Sequence, residues 1–227
     1  MDNPILTAEN IHKTFHEPVD HIVLDGVFLE VFPGDAVAIM GRSGEGKSTL
    51  LQILGTLESP SSGTLTICGQ KVSYFSVDRI RSQNIAFVFQ SYHLMEDYTV
   101  IENILMPAKI ARNNTAPGSE SYANAMELLE LVGLTDHAHY NAKLLSGGEK
   151  QRVAIARALC NDPDIILADE PSGNLDSKTS EHIHQLLMNF AQKKGKAIII
   201  VTHNKNLASL CNKRYMLENG VLTDTSM

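Results

Sequence analysis

This chain lacks an excess of basic residues, a cysteine pattern and any long apolar run. Nineteen lysines and arginines stand against 26 acidic residues, a formal net charge of −7. That balance excludes the basic patch or stripe with which a protein grips nucleic acid. Only three cysteines occur, Cys68, Cys160 and Cys211, widely spaced and in no C-x-x-C arrangement. A disulfide framework and a thiolate metal knuckle are both excluded, and the expectation is reduced, mostly buried thiols of a cytosolic compartment. No stretch of about 18 apolar residues is present, and Met1 to Pro4 has neither the basic nor the apolar region of a signal peptide. Direct membrane insertion is therefore not expected. Internal repeats and low-complexity segments are missing too. What remains is 227 residues with ordinary hydrophobic (43%) and charged (20%) fractions, enough for one α/β domain carrying an insertion.

Short apolar runs bounded by turns predict strands over Ile22 to Phe32, Asp35 to Met40, Thr64 to Cys68, Ile85 to Phe89, Asp164 to Asp169 and Ala197 to Val201. Lys47 to Leu57 reads as a helix with Leu50, Leu51 and Leu54 on one face. Between Ser91 and Leu159 the strand signal gives way to helices. Thr99 and Glu102 form a capping box opening a helix toward Met106 and Pro107. Ser121 to Val132 has a 3.6-residue rhythm through Ala125, Leu128, Leu129 and Val132. Ile183, Leu186, Leu187 and Phe190 share a stripe on a helix stopping at Gly195, and Asn219-Gly220 predicts a hairpin turn. The predicted organisation is a single domain over 1–227, an α/β core of 1–90 and 160–227 with a helical subdomain at 91–159.

Two segments carry phosphate chemistry. Gly41, Arg42, Ser43, Gly44, Glu45, Gly46, Lys47, Ser48 and Thr49 match G-x-x-x-x-G-K-[ST] directly after a buried strand. Glycines let the backbone turn its N–H groups onto a phosphate at a helix N-terminus. Lys47 adds a charge for the β- and γ-phosphates, and the Ser48 hydroxyl is a Mg²⁺ ligand. Glu45 is an odd charge in such a cradle; its backbone N–H still donates, and its side chain is expected to point to solvent. The second segment, Leu145 to Arg152, lies about a hundred residues downstream. Ser146 and Glu149 there form a capping box, which leaves unexplained the consecutive Gly147 and Gly148 in the first helical turn. Close backbone approach to a phosphate explains both. A second phosphate loop also implies a nucleotide shared between two copies of the chain. Asp169 and Glu170 close a buried strand, where an α/β sheet presents its ligands. Asp169 suits the Mg²⁺ shell, and Glu170 suits polarising a water as general base. His203 follows another buried strand, within reach of a γ-phosphate; the remaining histidines, His182 and His184 included, read as structural or exposed.

These segments, in this order, resemble the nucleotide-binding domain of ATP-binding cassette (ABC) proteins along nearly the whole chain. The resemblance implies a P-loop NTPase core with an N-terminal antiparallel β part and an inserted helical subdomain. Gly41 to Thr49 corresponds to the Walker A loop, Leu145 to Gln151 to the signature loop, and Ile165 to Glu170 to Walker B with its catalytic glutamate. Ser172 to Asp176 matches the D-loop region and His203 the switch histidine. Gln90 is the Q-loop glutamine, sensing the γ-phosphate and sharing Mg²⁺. Phe15 takes the place of the aromatic that stacks on adenine, with Phe28 and Phe32 as competitors. ATP and Mg²⁺ are the implied ligands, and a head-to-tail homodimer the implied assembly.

Pro171 to Asp176, His93 to Ile104, Met106-Pro107 and Met216 to Thr223 look like the lipoprotein-releasing group. Met95-Glu96 departs from the Leu-Pro often found there, and Ser172 replaces Thr. The implied function is an ATP hydrolase on the cytoplasmic face of the bacterial inner membrane, a peripheral subunit docked on integral permease subunits. The relatives in peptide or macrolide export and in cell division are the same-fold alternatives. A soluble, non-transport ABC ATPase is a different class. Its repair type separates the motifs by a long coiled coil and its translation type carries two cassettes, and neither feature is found here.

Overall fold

The computed structural model describes residues 3–16, 19–173 and 175–226. Strands β1 (Leu6–Phe15), β2 (His21–Val31) and β3 (Ala36–Met40) precede helix α1 (Lys47–Leu54). Then come β4 (Ser62–Ile67), β5 (Gln70–Lys71), α2 (Val77–Asn84) and β6 (Ile85–Val88), followed by α3 (Val100–Ile110), α4 (Glu120–Leu131) and α5 (Gly147–Leu159). The chain returns through β7 (Ile165–Asp169), α6 (Ser177–Lys194), β8 (Ala197–Val201) and α7 (Lys205–Ser209) to β9 (Lys213–Glu218) and β10 (Val221–Asp224).

Two sheets result. One is antiparallel, in the order β2-β1-β4-β5; the other runs β10-β9-β3-β8-β7-β6. In the second, β3, β6, β7, β8 and β9 are parallel, so the loops leaving β3, β6, β7 and β8 converge at one edge. Parallel strands covered on both faces read as continuous apolar runs, as β3, β7 and β8 do. Their alternate residues feed two separate cores. Ala36, Ala38, Ile166, Ala168, Ile198 and Ile200 face a cluster built with α3 to α6. Val37, Ile39, Ile165, Leu167, Ile199 and Val201 face one built with α1 and the antiparallel sheet.

Local signals carry the helices. Thr99 caps α3 in a full capping box with Glu102, and the helix continues past Pro107. Ser146 and Glu149 make the same box at α5. α6 ends on Gly195 in the left-handed region (φ 62°), which glycine adopts without steric cost. Asn219 and Gly220, both at positive φ, form the two-residue turn between β9 and β10. Cys160 and Cys211 are buried and Cys68 half-buried, all as free thiols. Burial pushes the Cys68 and Cys211 thiols up to about 11, so neither is a ready nucleophile.

Candidate active site

A cavity of about 640 Å³ opens where the parallel strands end. Its lining joins Phe15, Gly41, Ser43, Gly44, Gly46, Lys47, Ser48, Thr49, Gln90, Asp169, Glu170 and His203 with His21, Val23 and Val201. Residues drawn from five separate stretches of sequence thus meet in one place. Phe15 is the aromatic found there; Phe28 and Phe32 are outside the lining, and Phe32 lies under the Lys213 ammonium, 4.7 Å from its ring centre.

The loop from Gly41 to Gly46 leaves β3 and enters α1. A Cβ on Gly41 would lie 2.4 Å from the Leu217 carbonyl oxygen, and one on Gly46 (φ 90°) 2.5 Å from Val23 Cγ1. Only glycine lets the loop sit this close to β9 and β2. Lys47 Nζ donates to the Arg42 carbonyl at 2.7 Å, bridging the loop it follows. Arg42 and Glu45 are outside the cavity lining. The expectation that the Glu45 side chain points to solvent is corrected: its Oε2 accepts the backbone N–H of Asn219 at 2.8 Å. That partner is 174 residues away, and no local pattern announces it.

Oxygen chemistry concentrates at the ends of β7 and β8. The Asp169 carboxylate accepts from the Ser48 hydroxyl. Burial pushes its pKa up, Glu170 adds to that, and Ser48 and Lys47 oppose it. A partly buried carboxylate paired with a hydroxyl suits Mg²⁺, which is held through one or two carboxylates plus phosphates rather than an all-protein cage. No group of three or more His, Cys, Asp or Glu that could hold a metal occurs among the described residues. Glu170 has φ 44°, a left-handed conformation that costs a non-glycine residue about 1–3 kcal/mol. Its carboxylate is held by three donors. The His203 backbone N–H (2.9 Å) and ring Nδ1 (2.7 Å) reach Oε1, and Thr202 Oγ1 (3.2 Å) reaches Oε2. The Glu170 side chain is 16% exposed and that of His203 76%, so the pair spans from protein to open cavity. Sequence reasoning assigned no role to Thr202, which is 1% exposed.

Ser146 and Gly147 are exposed and, with Gly148, lie outside this cavity. The Ser146 hydroxyl donates to Glu149 at 2.7 Å, and hydrogen bonds from Ser146 hold the Glu149 carboxyl below the usual range. The two glycines also have a reason within the chain. A Cβ on Gly147 would meet Tyr92 Oη at 2.9 Å, and one on Gly148 would meet Thr179 Cγ2 at 2.7 Å. Tyr92 belongs to the loop after Gln90, which α5 holds in other ways. Arg157 donates to the carbonyls of His93 (2.6 Å) and Tyr92 (2.8 Å), and Lys150 pairs with Glu96 at 3.0 Å. Glu96, one of the unusual residues of the sequence, is thus a contact to the helix that Ser146 begins. Asn103, 1% exposed, clips the same loop through Met95 N–H, Met95 O and Thr99 O. In the loop after Glu170, Gly173 lies against the Gln90 amide, and Ser172 Oγ is 2.7 Å from His184 Nε2 in a buried contact. Asn174 of this stretch lies outside the described residues.

The family model described as "ABC transporter" matches residues 24–173. The lipoprotein-releasing system ATP-binding protein LolD of Protochlamydia amoebophila is 57% identical over 218 residues, 96% of each chain. LolD of Bacteroides thetaiotaomicron is 45% identical, covering 96% of this chain and 99% of its own. Among solved structures, the dimeric bacterial ABC transporter cassette MJ0796 superposes with a TM-score of 0.87 at 38% identity, over 96% of both chains. A post-hydrolysis dimer of the same cassette bound to ADP and Pi also gives 0.87, at 37% identity, over 96% of this chain and 98% of that one.

Proposed function

Because the chain belongs to the ABC transporter family, we propose that it is the ATP-hydrolysing subunit of a bacterial transporter that releases lipoproteins from the inner membrane toward the outer membrane. The observation that carries the ATP-hydrolysing part is the cavity itself, with Lys47, Ser48, Asp169, Glu170 and His203 converging at the strand ends while the Ser146 loop lies outside it; the lipoprotein cargo rests on the likeness to LolD. In this reading Phe15 stacks on adenine, and backbone N–H groups of the Gly41 to Thr49 loop cradle the phosphates. Lys47 exchanges the Arg42 carbonyl for the β- and γ-phosphates. Ser48, Asp169 and Gln90 would hold Mg²⁺, which when bound neutralises charge on the phosphate oxygens. Glu170 accepts the proton of the attacking water, and His203, held by that carboxylate, faces the γ-phosphate. The Ser146, Gly147 and Gly148 backbone closes the site of a second copy, so two ATP molecules sit in a head-to-tail homodimer. Such a dimer agrees with the dimeric cassettes of the same fold.

No helix among the described residues is long and apolar enough to cross a membrane. We place the protein as a peripheral subunit on the cytoplasmic face of the inner membrane, docked on integral permease subunits. The docking surface proposed begins after Gln90. Met95 (46% exposed) and Tyr98 are on one segment and Tyr140 and Leu144 (70% exposed) on another, and the Thr99–Asn141 bridge joins the two segments. Leu94 packs against the helical core and serves as their support.

The test is reconstitution with the membrane subunits in proteoliposomes carrying a labelled lipoprotein. ATP-dependent release of that lipoprotein to a soluble acceptor supports the reading. Release of a peptide or macrolide in its place would assign the chain to the exporter relatives. Met95→Ser with Leu144→Ser should lower co-purification of the membrane subunits and cargo release, with basal ATPase and circular dichroism retained. Unchanged co-purification would remove the docking assignment.

A further inference from the structure

Glu45 is a charged residue of the phosphate loop that lies outside the cavity lining and whose side chain the reaction does not use. We propose that Glu45 is a positioning residue that ties this loop to the C-terminal hairpin and, by that tie, sets nucleotide affinity. The proposal rests on the nucleotide-binding reading above and adds to it a determinant outside the loop.

The geometry has three parts. The loop starts at Gly41, pressed against the carbonyl of Leu217 in β9. Four residues on, Glu45 Oε2 accepts the Asn219 N–H at 2.8 Å. The hairpin turn is itself fastened to β2, because the Asp25 N–H donates to the Gly220 carbonyl at 2.8 Å. A hairpin anchored to two sheets therefore holds the phosphate loop at its first glycine and again just before the helix. The ladder pairs Glu218 with Val221 across the turn, so Asn219 lies outside it. Asn219 donates its N–H to Glu45.

The carboxylate acts on a bound triphosphate in two opposite ways. Its charge repels phosphate, weakened by water at a half-exposed site. Its hydrogen bond turns that charge toward the hairpin and fixes the loop in one shape, sparing the ordering that binding otherwise requires. The hydrogen bond is charge-assisted, the stronger class of such contacts. The two effects separate by substitution. Glu45→Gln keeps an acceptor oxygen at the same reach and removes the charge. Glu45→Asp keeps the charge and withdraws the acceptor by one methylene. Glu45→Ala removes both.

Equilibrium binding of MgATP and MgADP to the full chain, with parent and Lys47→Ala as references, reads the result. We expect Glu45→Gln to bind about two- to fivefold tighter than parent, Glu45→Asp about three- to tenfold weaker, and Glu45→Ala in between. Amide exchange at Asn219 gives a readout independent of nucleotide: protection kept in Glu45→Gln and lost in Glu45→Asp and Glu45→Ala. If Glu45→Gln and Glu45→Ala bound equally, or Asn219 exchanged at the parent rate in every variant, the tie would be idle and the proposal overturned. If instead the parent bound no nucleotide, or Lys47→Ala bound as well as parent, the underlying site reading would fail, a separate outcome.

Discussion

Replacing Glu170 by glutamine removes one capacity and little else. The His203 N–H and Nδ1 both reach Oε1, a position that an amide oxygen fills equally well. The Thr202 hydroxyl, which donates to Oε2 and already accepts the Asn204 N–H, can take the new NH₂ on its second lone pair. The left-handed backbone at φ 44° is unchanged, since both side chains branch beyond Cβ in the same way. What is lost is a base for the proton of the attacking water. A positioned base contributes about 10²–10⁴-fold, or roughly 3–5 kcal/mol of barrier. Glu170→Gln should therefore bind MgATP with parent affinity and release phosphate about 10²–10⁴ times more slowly. With hydrolysis blocked and the clamp intact, the protein should collect as an ATP-bound dimer. Single-turnover phosphate release and size-exclusion chromatography with MgATP measure the two halves. Turnover within about threefold of parent would refute the assignment of the base. A matching loss of ATP affinity would show that the substitution had disturbed the cavity instead.

Lys47→Ala should abolish ATP binding, whereas Ser146→Arg should stop hydrolysis and leave binding by the monomer largely intact, both read with labelled ATP. Mixed together, these variants rebuild at most one composite site; equal loss of monomer binding in both would contradict a shared nucleotide. A pH effect follows from His184, whose burial holds the imidazole below its ordinary value beside Ser172. The unfolded chain binds this proton first, so the neutral imidazole stabilises the fold above about pH 6.5, and that contribution is lost as pH falls through the folded value. His184→Phe should flatten the fall in melting temperature as pH drops below about 6.5; parallel curves for parent and variant would place the effect elsewhere.

The sequence discloses what is local. Asp35 to Met40, Asp164 to Asp169 and Ala197 to Val201 are visible because strands buried on both faces are continuous apolar runs. Both capping boxes and the Gly195 stop are visible because capping acts within four residues. β1 escapes a reading by turns and short runs, being ten residues with shifts of register against both neighbours. α2 escapes because Ile80 alone of its residues is buried, leaving no apolar stripe. At the site, residues carried on motifs are legible, and their supports are not. Thr202 on Glu170, Arg157 on the loop after Gln90 and Glu45 on Asn219 each join positions from 32 to 174 residues apart. Nothing periodic in the chain links such pairs.

The parallel sheet that divides the interior has a consequence for how this chain comes apart. Neighbouring residues of β3, β7 and β8 belong to opposite cores, so neither core can dissolve without stripping one side of strands the other still needs. The helices between Val100 and Leu159 bury their apolar faces in the same cluster as one side of that sheet, and so have no private store of stability. Slow amide exchange should then be distributed across both faces of β3, β7 and β8 together. Heating or denaturant should remove the helices and the strands as one cooperative unit, with the edge strand β5 fraying first.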